Sequence, residues 1–229
     1  MRRRASTALS AAAFAALTVS GCAGGNAPAG GSGSSPAAAV SSAPAAKPAA
    51  PLTSAALAER LLDEADLGQG YTRKPETSGS RNDVTVIGCP ALENLGGDAA
   101  AGGSLDFPNN AKTTFAYTRG TDSEVAEELY SDTLDKLGPG TKTVFEAMTG
   151  CPLYRVVVGD TPIAVATQQL PAPALGDEAW SQLLTFTAGG RDTVMKQTAV
   201  RAGSVLVVVS GSPALVDTHL TRAVDKARG

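Results

Sequence analysis

The sequence predicts an α+β domain: antiparallel β-structure with a C-terminal three-stranded meander, packed with about four helices and closed by one disulfide. Three observations carry this. Short runs rich in Val, Thr, Leu and Phe recur between glycine-bearing turns from residue 153 to 210. Segments with helical spacing of apolar residues lie on either side of them. Two cysteines, Cys89 and Cys151, precede the strand run, far from the third, Cys22.

The elements follow in order. TSAALAERLLDEADLG (53–68) reads as a helix, with Ser54 as its cap, Leu57, Leu61, Leu62 and Ala65 as its stripe, and Gly68 and Gly70 as its end. KTTFAYT (112–118) reads as a strand. TDSEVAEELYSDTLDKLGPG (121–140) reads as a second helix. Thr121 and Glu124 suit a capping box, Ala126, Tyr130, Thr133 and Leu137 share a face beside Val125, Leu129 and Leu134, and Gly138-Pro139-Gly140 stops it. TKTVFEAMTGC (141–151) reads as a short third helix with Val144, Phe145 and Met148 inward.

LYRVVV and TPIAVATQQL flank Gly159-Asp160, a hairpin pair. SQLLTFTA and DTVMKQTAV flank Gly189-Gly190, and SVLVVVS follows a tight turn at Ala202-Gly203, so residues 182–210 form a meander. SPALVDTHLTRAVDKAR (212–228) is the last helix. Ser212 precedes Pro213 at the first turn, and Val216, Leu220, Ala223, Val224 and Ala227 face the sheet.

The N-terminus supplies an address. MRRR, an apolar alanine-rich stretch to Ser20 and small residues before Cys22 have the pattern of a secretory signal peptide. That stretch is shorter than the roughly 20 apolar residues of a spanning helix. VSGC (19–22) resembles the lipobox of bacterial lipoproteins. The resemblance implies a signal peptide over 1–21, cleavage before Cys22, lipid on its thiol (with palmitate among the acyl groups), and anchoring to the outer face of the cell membrane. An ordinary secretory signal with a chance cysteine is the alternative. Residues 22–51 then form the lipidated cysteine and an Ala/Gly/Ser/Pro tether with too few large apolar groups to order itself. As a coil the tether spans on the order of 30 Å, and fully extended it reaches roughly 100 Å. Residues 52–229 make a single domain, expected to be monomeric.

The formal net charge is −3; the first 21 residues hold three Arg and no acid, so the remainder stands at −6. An acidic domain without a basic run argues against a nucleic-acid partner and against a polybasic membrane binder. In an extracytoplasmic setting Cys89 and Cys151 read as a disulfide closing about sixty residues. Two separate buried thiols, or half of a zinc site lacking nearby histidines, are the alternatives.

The helix ALAERLLDEADLGQGYT, the loop CPAL, the distant CPLYRV, then LGDEAW and AVRAGSVLVVV before a final helix together resemble PknH-type extracellular sensor domains of actinobacteria. The resemblance covers about 54–228. It implies a twisted antiparallel sheet with helices, a ligand-binding cleft, and Cys89–Cys151 as one family disulfide. The family's second disulfide has no counterpart, since no cysteine follows Cys151. Nor does the sequence hold a kinase domain, so fold and cleft carry over, not signalling.

No catalytic constellation stands out. His219 is the only histidine, and its place near the edge of the last helix's stripe suits a partly exposed surface residue. No G-x-S-x-G elbow occurs. The acids Asp63, Glu64 and Asp66, and Glu124, Glu127 and Glu128, fall on solvent faces of the expected helices; Asp177 and Glu178 follow Gly176 in a loop. GPGTK (138–142) reads as a turn and GGDAAAGG (96–103) as a loop. Trp180, at a loop–strand junction, reads as core.

The expectation is therefore a non-enzymatic sensor-like domain that needs no cofactor or metal. It binds a small, lipid-like or cell-envelope ligand through residues the sequence does not name. A protein-interaction module and a cell-wall hydrolase using paired carboxylates are the alternatives.

Overall fold

The computed structural model describes residues 50–75, 84–96, 100, 105–119 and 123–229. The signal region, Cys22, the tether to residue 49, Thr121 and most of the 96–103 loop lie outside them.

Nine strands form one antiparallel sheet in the order β1-β3-β4-β9-β8-β7-β6-β5-β2. They are β1 (Tyr71–Arg73), β2 (Val84–Ile87), β3 (Asn109–Tyr117), β4 (Ser123–Ser131), β5 (Leu153–Val158), β6 (Thr161–Leu170), β7 (Glu178–Ala188), β8 (Arg191–Ala202) and β9 (Val205–Gly211). Five helices accompany them among the described residues: α1 (Ser54–Ala58), α2 (Glu64–Leu67), α3 (Pro90–Leu95), α4 (Leu134–Gly150) and α5 (Pro213–Arg228). The hairpins at Gly159-Asp160 and Gly189-Gly190 form as expected, and the meander extends back to β5. The β8–β9 turn lies one residue later than expected, at Gly203-Ser204.

The topology explains how the last strand comes to lie beside β4. After β4 the chain crosses one face through α4 and enters the far flank at β5. The meander then walks back until β9 pairs with β4. Gly211 permits that last pairing: its φ is +137°, and a Cβ there would lie 2.1 Å from the Glu124 carbonyl oxygen.

Several sequence expectations are corrected. Residues 53–68 are two short helices. Asp63 caps α2 in a reciprocal capping box with Asp66, so the backbone leaves the helical path between residues 59 and 63. Thr53, not Ser54, is the N-cap of α1. Where a helix over 121–140 is expected, Ser123–Ser131 is instead β4, and α4 follows from Leu134. Hydrogen bonding to β3 and β9 on both sides outweighs the helix propensity of its Glu, Ala and Leu residues.

Gly138-Pro139-Gly140 does not stop a helix but lies inside α4. Its glycines give close approach: a Cβ at Gly138 would lie 3.1 Å from Glu178 Oε2, and one at Gly140 3.1 Å from the Phe107 ring. GPGTK is therefore not a turn. The CPAL stretch, expected as loop, begins α3, with Pro90 in its first turn.

The core lies on both faces. On one, α1, α2 and α5 cover β3, β4, β8 and β9 through Leu57, Leu62, Leu129, Val207, Val209, Val216, Leu220 and Val224. On the other, α3 and α4 pack on β2, β5, β6 and β7 through Leu92, Met148, Tyr154, Val156, Val165 and Leu184. A third cluster, with Tyr130, Leu137, Phe145, Leu206 and Val208, joins α4 to the sheet centre. The Cys89–Cys151 disulfide links the start of α3 to the end of α4.

Candidate functional site

Among the described residues, helices cover the α1/α5 face only as far as β8 and leave its β2-β5-β6-β7 half uncovered. Pairing fixes which side chains share that half. Leu153, Ala166, Thr185 and Val194 are directly paired across β5, β6, β7 and β8 and form one row. Ile87, Arg155, Ala164 and Thr187 form the next row across β2, β5, β6 and β7. Leu153 is 68% exposed, Ile87 47% and Val194 46%, high for large apolar side chains. These three exposed apolar side chains share one pleated face with Thr185, Arg155 and Thr187, and large apolar groups gathered on one exposed face are a feature of binding surfaces. Lys196 stands at the boundary with α5, held by Asp217.

Several acids that the sequence placed in solvent are buried or paired instead, a second set of corrections. Glu127 and Glu128 are both buried. They point to opposite faces of β4, and each meets a donor. Leu62 N–H donates to Glu127 Oε2 at 2.6 Å, and Lys112 Nζ donates to Glu128 Oε1 at 2.6 Å, with the Tyr130 hydroxyl on Oε2. Burial pushes the pKa of Glu127 up to about 8, against the pull of the Leu62 amide.

Asp63 and Asp66 face α5. Lys226 donates to both, and Arg222 donates to Asp66 at 2.7 Å. Burial opposes the ionisation of Asp66, but these hydrogen bonds prevail and hold its pKa at about 2. Glu124 pairs with Lys74 at 2.5 Å, an exposed contact. Asp177 and Glu178 both pair with Arg201, Glu178 as the first residue of β7 rather than in a loop.

His219 is also corrected. It is buried, and its Nε2 lies 2.6 Å from the Tyr71 hydroxyl. Burial lowers its pKa, favouring the neutral ring. Trp180 is half-buried on the α4 face and stacks with Phe145, the ring centroids 6.3 Å apart. Behind it Gln182 donates to Gln197 Oε1 at 2.9 Å and to the Met148 sulfur, a buried polar pair between two apolar clusters that sequence reasoning missed. Among the described residues, no three His, Cys, Asp or Glu side chains converge in a metal-holding arrangement. No helix among them is long and apolar enough to cross a membrane.

The architecture has a solved counterpart. The crystal structure of the extracellular domain of PknH from Mycobacterium tuberculosis superposes with a TM-score of 0.58 at 15% identity, over 78% of this chain and 97% of that one. The fold is shared. A Mycobacterium smegmatis protein, the Rv0999 ortholog, superposes at 0.39 with 12% identity, over 73% and 97% of the two chains. No protein-family model and no curated protein matches the sequence.

Proposed function

We propose that this is a non-enzymatic, sensor-like domain outside the cytoplasmic membrane. Lipid on Cys22 holds it there, and it binds a small, lipid-like or cell-envelope ligand on the uncovered half of its sheet. One observation carries the binding site: the row Leu153–Ala166–Thr185–Val194, whose two ends are exposed large apolar side chains on a face that helices cover elsewhere. The fold shared with an extracellular domain supports the location. The VSGC stretch supports the anchor.

The test uses the full chain carrying Cys22→Ser, so that no anchor contributes to lipid association. This protein is incubated with envelope-lipid vesicles, repurified and analysed for retained molecules by mass spectrometry. A defined lipid or small-molecule species should be retained, and Leu153→Asp with Val194→Asp should lose it. Retention of the same species at the same level by the double variant would move the site elsewhere. Retention of nothing by either protein would overturn small-ligand binding and favour a protein partner.

A further inference from the structure

Glu127 lies mid-strand in β4, on the face that α1, α2 and α5 cover, and is 1% exposed. Its Oε2 takes the Leu62 amide proton. Its Oε1 is buried without a hydrogen-bond partner, and so is Thr113 Oγ1, which belongs to the directly paired residue on β3. Leu62 stands in the non-helical break between α1 and α2. Among the described residues, the hydrogen bond that its amide makes is thus to a carboxyl group on the sheet beneath.

The surroundings define what an ionised Glu127 would meet. On the flanking strands its paired residues, Thr113 and Val209, are uncharged. From β1 come Tyr71, bonded to His219, and Arg73, whose guanidinium donates to the Leu62 carbonyl at 3.2 Å. From the α1–α2 segment come Asp63, Glu64 and Asp66; Glu64 accepts the Arg73 amide. From α5 come His219, Arg222 and Lys226. The latter two are already committed to Asp63 and Asp66. Lys226 and Arg73 favour a Glu127 carboxylate and Asp66 opposes it, but burial dominates. A neutral acid there leaves one oxygen unpaired, at modest cost; a carboxylate with the same unpaired oxygen costs far more.

We infer that Glu127 is a proton-controlled latch that clips the α1–α2 junction to the sheet through the Leu62 amide. With its proton on, the acid sits neutral under Leu62 and the junction is closed. With its proton off, the closed junction encloses a charge without adequate partners, and opening to water relieves it. The sign follows from the direction of the shift. A carboxyl raised from 4.5 to about 8 in the closed state gives stability that is full below the ordinary glutamate range and is lost as pH rises through about 8. The latch stands independently of the ligand-binding proposal.

Hydrogen exchange of the intact protein, corrected for the intrinsic rate at each pH, tests it. Protection of the Leu62 amide should fall about tenfold between roughly pH 7 and pH 9. Glu127→Gln keeps an acceptor for that amide but cannot ionise, and should hold protection level across the same range. An equal fall in the variant would overturn the latch. Should the variant fail to fold, the carboxyl carbon-13 shift of Glu127 in the unaltered protein decides: a midpoint near 8 is expected, and one in the ordinary glutamate range would overturn the proposal.

Discussion

β4 and β5 are both antiparallel strands in one sheet, yet they are buried differently. β4 is covered on both sides, so Val125, Glu127 and Leu129 are buried on one face and Glu128 and Tyr130 on the other. Among the described residues β5 is covered on one side only: Tyr154 and Val156 are buried, while Leu153 and Arg155 are exposed. A strand with one wet face writes a period of two into its sequence; a strand with two dry faces does not. The central strands are held by burial on both faces. The β2–β5 flank is held by one-sided burial and by a covalent link at α3.

That contrast predicts where each half breaks. The largest effect belongs to the crosslink. Cys89 and Cys151 are 62 residues apart, and opening a loop of that length should cost about 4 kcal/mol in the chain-entropy account. Cys89→Ser with Cys151→Ser should therefore lower the urea midpoint sharply. Exchange protection should be lost first at Val86 and Leu92, on the flank, while Leu129 and Val207 in the centre keep theirs until global unfolding. Simultaneous loss in both regions would show that the sheet unfolds as one unit.

A smaller effect compares two leucines. Leu129→Ala at the two-sided centre removes a fully buried side chain and should cost about 3 kcal/mol. Leu153→Ala on the open face should stay within about 0.5 kcal/mol. Equal costs from urea unfolding would mean that something covers Leu153 in solution.

The same contrast governs what the sequence made legible. The β5–β6 hairpin, the meander, the last helix and the cysteine pair were readable because each writes a local signal: alternation, a turn pair, a cap with proline, an even thiol count. β4 was not, because Glu127 and Glu128 read as a solvated helix face until distant partners are known. Their cover comes from Leu62, 65 residues away, and from Lys112. Asp66 and His219 failed for the same reason, their partners being on α5 and β1. The open half-sheet had no signature either, since its exposure depends on where α5 ends over the strands.

The smallest predicted effect concerns the glycines of α4, where a local rule and a distant contact compete. Neither Gly138 nor Gly140 has a positive φ, so alanine at either gains roughly 1 kcal/mol of helix propensity. The opposing term differs. At Gly138 the new Cβ meets Glu178 Oε2 at 3.1 Å, the tip of a flexible side chain; if it shifts, Arg201 still has Asp177 at 3.1 Å. At Gly140 it meets the Phe107 ring at 3.1 and 3.3 Å. That ring packs on Tyr130, centroids 5.7 Å apart, and yields less easily. Overpacking of this kind costs about 1–3 kcal/mol. Gly140→Ala should therefore destabilise by about 1 kcal/mol net, and Gly138→Ala should change stability by less than about 0.5 kcal/mol in either direction, both read from urea midpoints. A gain at Gly140 would mean that the Phe107 contact does not hold α4 against the centre of the sheet, and the close approach would no longer account for a glycine inside that helix.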